Sequence, residues 1–253
     1  MKNAWTIGRN FKTGTTYSYN YKTKPAAINL TYYRQYRELI DAPHLLVAGA
    51  TGSGKSVFLR GFLMTLTALR TPENSGLVLI DPKRVELTEW AKTRHKSGYA
   101  CELSDTLYLL DRCIDLMEYR YKQLHAAGAV EWKGGDIYIV IDELADLMLT
   151  DPLSVRPRLQ KILQLGRAAH IHLIAATQAP SRKVIPAELT LNFTHKLALR
   201  CDSAIESRQV INTTGAETLP LHGVGILRKP GSVDYLPIEY VSLETLKDHC
   251  RKI

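Results

Sequence analysis

The stretch HLLVAGATGSGKS, residues 44–56, decides how this chain is read. Its first five residues are a short apolar run suited to a buried strand. Gly49, Ala50, Thr51, Gly52, Ser53, Gly54, Lys55 and Ser56 then fit the pattern GxxxxGK[ST] at every position, and residues 57–69 follow with apolar side chains at helical spacing. Strand, glycine-rich turn and helix are the context this pattern needs to hold phosphate. The glycines let successive backbone N–H groups converge on phosphate oxygens, and the new helix adds its positive end. Lys55 reaches the β and γ phosphates and Ser56 holds Mg²⁺, so the expected ligands are ATP and Mg²⁺.

Working outward, the same alternation recurs. Leu77–Ile80, Ile137–Ile141, Ile171–Ala176 and His195–Leu199 read as further strands. Residues 104–123 read as a helix with Ser104 as its N-cap, and residues 156–169 as another. Residues 223–227 and 233–238 flank Lys229-Pro230-Gly231 and read as a hairpin. Continuous apolar strands alternating with helices predict an α/β fold with a parallel sheet covered on both faces.

Two of these strands end in chemistry. Asp142 and Glu143 follow the apolar run 137–141, at the sheet edge where ligands of open α/β sheets sit. Asp142 is the expected Mg²⁺ ligand and Glu143 the base that polarises the attacking water. An acid pair that merely caps the following helix is the plain alternative. Gln178, at the end of the run AATQ (175–178), suits a contact to the γ phosphate or the water; a simple strand-ending turn before Pro180 would look the same.

The chain has 253 residues, is 45% hydrophobic and 23% charged, and carries a net charge of +8. It is long enough for one large α/β domain, and its basic surplus points to a polyanion. Lys2, Arg9, Lys12, Lys22, Lys24, Arg34 and Arg37 lie in a first stretch of 37 residues without Asp or Glu, where Tyr17, Tyr19 and Tyr21 alternate as on one strand face ended by Pro25. We divide the chain into a basic, Tyr-rich extension with β structure, residues 1–40, and a main domain, residues 41–253. The extension reads equally as an attachment surface and as a strand packed on the core. The four cysteines form no CxxC pair and fit reduced thiols of a cytosolic protein. His170 and His172 have no ligand partners at metal-binding spacing in the sequence. Apolar runs fall far short of the ~20 residues of a membrane span.

The segments HLLVAGATGSGKSV (44–57), LIDPKRVEL (79–87), IYIVIDELADLM (137–148), GRAAHIHLIAATQAPS (166–181) and IESRQVINTTGAETL (205–219) together resemble the motor domain of the FtsK/SpoIIIE family of DNA translocases. The resemblance implies a RecA-like P-loop NTPase core and an ATPase that pulls double-stranded DNA through a ring of identical subunits, commonly a hexamer. It also implies an arginine supplied by a neighbouring subunit, for which Arg208 and then Arg167 are the candidates. Asp81 and Lys83 match the family's DPK segment, and their position at a strand end fits a site role that the sequence does not specify. Ala179 stands where the family's ATQRP has arginine. The family's membrane-anchoring region and winged-helix reader are not in this sequence, so the expectation is either a compact relative from a conjugative element, plasmid or phage, or a motor excised from a longer protein, acting in DNA segregation or conjugative transfer. It would be cytoplasmic, recruited to the inner face of the membrane by a membrane-associated or secretion-channel partner, and bind DNA without sequence direction. Competing readings are a small-molecule kinase, which DPK and ATQ disfavour, a GTPase, which lacks an NKxD segment, and a nucleotide-binding assembly or partner-recruitment module that pumps no DNA. The intact Lys55, Ser56, Asp142 and Glu143 speak against that last one.

Overall fold

The computed structural model describes residues 5–9, 16–19 and 30–253. Strands β1 (Trp5–Arg9) and β2 (Thr16–Tyr19) pair antiparallel as a two-stranded sheet apart from the main one. Tyr17 and Tyr19 fall on β2; Tyr21, Pro25 and the lysines of the basic stretch lie outside the described residues. Helix α1 (Leu30–Ile40) follows, and its Tyr36, Leu39 and Ile40 are buried in the main core. Glu38 also pairs with Lys229 at 2.6 Å, so the end of the first forty residues is tied to the main sheet.

From there the chain runs β3 (His44–Ala48), α2 (Lys55–Leu69), β4 (Ser75–Ile80), β5 (Lys96–Ala100), α3 (Leu103–Ala127), β6 (Asp136–Ile141), α4 (Leu144–Thr150), α5 (Pro152–Leu165), β7 (Ile171–Thr177), α6 (Ala187–Asn192), β8 (His195–Ala198), α7 (Ala204–Ile211), β9 (Val224–Lys229), β10 (Ser232–Pro237) and α8 (Leu243–Cys250). The eight-stranded sheet has the order β10-β9-β8-β3-β7-β6-β4-β5. Strands β8 to β5 run parallel, while β9 and β10 add an antiparallel edge. Side chains alternate across the sheet, as strand geometry requires. Leu45, Val47, Leu79 and Val140 join α1, α2 and α8 on one face. Leu46, Ile80, Ile139 and Ile141 join α3, α4 and α5 on the other. This is the expected mainly parallel α/β core flanked by helices.

Two helix boundaries differ from expectation. The helix read over 104–123 starts at Leu103 with Glu102 at the N-cap position, and Ser104 lies inside the first turn. The helix read over 156–169 is α5, four residues earlier at each end. Asp151 caps it by accepting from the Ser154 amide at 3.0 Å, Pro152 fills the first turn, and Gly166 stops it. Pro in a first turn costs nothing, because that N–H has no helical acceptor. A Cβ at Gly166 would stand 2.4 Å from the Ile171 carbonyl, so the turn into β7 closes only around glycine.

Candidate nucleotide site

Strand register assembles the site. Ala48 is opposite Thr177 and also Ala198, Ile141 is opposite Ala175, and Ile80 is opposite Ile141. The residues that follow these strands therefore emerge side by side at one sheet edge: the phosphate loop, Asp81, Asp142-Glu143, Gln178 and Arg200. Gly49 donates to the Thr177 carbonyl at 3.3 Å and Ala50 to the Arg200 carbonyl at 2.8 Å, which fixes the loop between its neighbours. Gly52 and Gly54 take φ of 77° and 98°, the left-handed region that favours glycine.

The groups singled out from sequence meet here. Lys55 Nζ donates to Glu143 Oε2 at 2.9 Å and to the Asp142 carbonyl at 3.2 Å. The Gln178 amide donates to both Glu143 oxygens, at 3.0 and 3.2 Å, and the Gln178 side-chain oxygen accepts from the Thr51 hydroxyl at 2.8 Å. Gln178 thus bridges Glu143 to the phosphate loop. Burial works against the Glu143 anion, but the charge and hydrogen bond of Lys55, with donors at Gln178 and Thr177, outweigh it and hold the carboxyl below its usual range. Asp142 goes the other way. Burial pushes its pKa up to about 6, the nearby Glu86, Asp81 and Glu143 add to this, and Lys55 only partly compensates. Its Oδ1 is buried without a hydrogen-bond partner. A buried acid with an unmatched oxygen among other acids suits a divalent cation.

A cavity of about 700 Å³ opens over the loop. Lys55, Ser56 and Gln178 line one side. Leu221, His222, Ile238 and Tyr240 line another. This second wall was not anticipated: it comes from the loop before β9 and the segment after β10, whose only local signal is Gly223 at φ 90°. Arg60 also faces the cavity and pairs with Glu86 at 3.1 Å. Arg208 and Arg167 are not among the lining residues. Arg208 is exposed on α7, which begins shortly after Arg200 beside the phosphate loop. Arg167 is exposed in the turn before β7, at the opposite sheet edge. His170 lies at that far edge too, with Nδ1 2.8 Å from Asp136, a carboxylate that sequence spacing did not bring near it.

No helix among the described residues is long and apolar enough to cross a membrane. The model of the FtsK/SpoIIIE family matches residues 24–139 and 133–182. The chain is 32% identical over 230 residues to DNA translocase FtsK 1 of Neisseria meningitidis and 35% identical over 234 residues to DNA translocase FtsK of Mycobacterium tuberculosis. These matches cover 78% and 82% of this chain but 28% of each relative, so the chain spans under a third of their length. Among solved structures, the type VII secretion ATPase EccC of Thermomonospora curvata superimposes with a TM-score of 0.72 at 25% identity, over 99% of this chain and 31% of EccC. The pCW3 conjugation coupling protein TcpA superimposes with a TM-score of 0.74 at 23% identity, over all of this chain and 70% of TcpA, and so supports the fold alone. Strand order, phosphate loop and sequence agree: the chain belongs to the FtsK/SpoIIIE family, a family of ATPases.

Proposed function

We propose that this chain is an ATP-hydrolysing motor that moves double-stranded DNA as a ring of identical subunits, six by family resemblance, in DNA segregation or conjugative transfer. The observation that carries the reading is the network Lys55–Glu143–Gln178–Thr51, which joins a phosphate-binding lysine, an anionic base and a strand-end glutamine on one sheet edge. Lys55 and the amides of residues 49–56 take the phosphates of ATP. Ser56 and Asp142 would hold Mg²⁺, which would neutralise phosphate charge. Glu143, kept anionic, orients and polarises water for attack on the γ phosphate, and Gln178 ties its position to the loop. Arg208, with Arg167 second, serves the neighbouring subunit's ATP. The similarity to proteins named DNA translocases supports duplex DNA as the track. A cytoplasmic setting, with recruitment to the inner face of the membrane by a membrane-associated or secretion-channel partner, follows from the same resemblance.

The test is ATP turnover with and without linear duplex DNA, alongside displacement of a triplex-forming strand from that DNA. Stimulated turnover with ATP-dependent displacement is expected. Turnover indifferent to DNA, with no displacement, would leave only the nucleotide-binding module.

A further inference from the structure

Asp81 lies at the site edge, but Lys83, two residues on in the Asp81-Pro82-Lys83 turn, has no role there yet, and the shape of that turn is tightly fixed. Asp81 ends the β4 run fully buried, and its Oδ2 accepts the Leu87 amide at 2.9 Å. Its carbonyl accepts the Arg84 amide at 3.0 Å, and Arg84 sits at φ 57°. Such a conformation is uncommon for a residue with a side chain, and here the loop's own hydrogen bonds enforce it. The loop closed by Asp81 sets Lys83 beside the α4 entry. Lys83 Nζ lies 3.7 Å from Glu143 Oε2 and 3.6 Å from Asp146 Oδ2. One ammonium serves two carboxylates at ion-pair range.

The partners of Glu143 show why this matters. Lys55 is the nearest, at 2.9 Å, followed by the Gln178 amide and then Lys83. A phosphate-loop lysine is committed to the β and γ phosphates once nucleotide binds. Glu143 then loses its strongest partner at the moment its carboxylate has to stay aimed at water. The Gln178 amide remains, and Lys83 is the other cation within reach among the described residues. Lys83, Asp142 and Glu143 are all outside the residues lining the cavity, and the contacts that place Lys83 are those to Glu143 and Asp146.

We propose that Lys83 is a positioning residue for Glu143: it holds the carboxylate in place after Lys55 has turned to the phosphates, and is itself steadied by Asp146. The inference rests on Glu143 being the base. It assigns Asp81 a part as well, as the group that closes the loop carrying Lys83.

The experiment compares the full chain as wild type, Lys83→Met, Lys83→Arg and Glu143→Gln. Single-turnover hydrolysis with duplex DNA is read beside the Kd for a fluorescent ATP analogue and the thermal unfolding midpoint. Lys83→Met is expected to lose about ten- to a hundredfold in the hydrolysis rate, the range for a reacting group displaced by an ångström. Its analogue Kd and unfolding midpoint should stay at the wild-type values. Lys83→Arg should recover most of the rate, because the charge and its reach are kept. Wild-type hydrolysis by Lys83→Met beside an inactive Glu143→Gln overturns the inference and leaves the base intact. A Kd that moves as far as the rate overturns it too, by making Lys83 a nucleotide ligand. An active Glu143→Gln removes the base assignment and this inference with it.

Discussion

Lys55 and Glu143 form a 2.9 Å ion pair in which both side chains are buried, at 6% and 2% exposure. The lysine meant for phosphate is therefore already held by the carboxylate meant for water. Removing Lys55 leaves the buried Glu143 charge with the Gln178 amide and the more distant Lys83 beside it. Lys55→Ala should abolish useful ATP binding and destabilise the fold by about 3 kcal/mol in urea denaturation, the low end for breaking a buried pair. Glu143→Gln should hydrolyse ATP about two orders of magnitude more slowly. It should also bind ATP more tightly than wild type, since the phosphates no longer compete with a carboxylate for Lys55. Weaker ATP binding by Glu143→Gln in a direct titration would show that the pair does not compete with nucleotide.

His44 gives a pH dependence away from the site. Its Nδ1 accepts the Leu173 amide at 3.0 Å, so the ring is neutral with Nδ1 unprotonated. Burial, then the charge of His172, lowers its pKa to about 3, against about 6.5 in an unfolded chain. Between those values the unfolded chain binds a proton that the folded chain refuses. Stability should accordingly fall as pH drops from about 6.5 towards 3, with His44 contributing up to about 1.4 kcal/mol per pH unit. His44→Asn, which keeps an acceptor for Leu173, should flatten that slope in urea denaturation across the range. An unchanged slope would place the acid sensitivity in other groups.

The cavity lining supplied by the loop before β9 and the segment after β10 makes a third expectation. Leu221, His222, Ile238 and Tyr240 offer apolar and aromatic surface where the base of ATP would rest. An aromatic face is worth about 0.5–1.5 kcal/mol beyond its burial. Tyr240→Ala should thus weaken ATP binding by about tenfold and leave the rate at saturating ATP unchanged. A fall in that rate at constant affinity would place Tyr240 in the hydrolytic step instead.

These residues also mark where sequence stops being legible. Strands β3, β4, β6 and β7 could be read because both faces are covered, so each is mostly apolar on both sides. Strand β5, Lys96–Ala100, could not: it is an edge strand whose Lys96 and Ser97 face solvent. Helix α7 was visible only as a family segment, being short. Phosphate loop, Asp142, Glu143 and Gln178 were legible because parallel strands in register deliver their C-terminal ends to one edge. Tyr240 was not, and Lys83 was legible only as part of the DPK segment at a strand end, its role open. The place of each depends on how an irregular loop folds back.

DNA affinity is expected to come from phosphate contacts, given the net charge of +8. It should be largely indifferent to sequence and fall steeply with salt, because each neutralised phosphate releases counterions. A titration of this chain with unrelated duplexes at several salt concentrations measures both. Tight binding to one short sequence that persists at high salt would contradict phosphate-dominated binding.

Assembly is the last expectation, and the cavity gives its reason. Among the described residues the lysine and arginine that line it are Lys55 and Arg60, and Arg60 is engaged by Glu86. Among the described residues no further lysine or arginine lines the cavity to stabilise charge on the γ phosphate. Arg208 and Arg167 are exposed and outside the lining, as arginines serving a neighbour would be. Arg208 sits on α7, which begins shortly after Arg200 beside the phosphate loop, while Arg167 belongs to the far edge, which favours Arg208. A dilute monomer should accordingly show little turnover and gain it cooperatively as subunits assemble on DNA. Arg208→Ala should bind ATP normally and fail to hydrolyse it, since an arginine delivered by a neighbour stabilises the transition state and not the bound nucleotide. Mixing Arg208→Ala with Glu143→Gln should restore modest turnover. An Arg208→Ala subunit keeps its own base, and a Glu143→Gln neighbour lends the arginine. Only some interfaces in a mixed ring are competent, and coordination around the ring lowers the gain further. Turnover against protein concentration is the decisive measurement. A specific activity already maximal in a verified monomer and unmoved by DNA would sink the shared site and leave Arg208 a surface residue of α7.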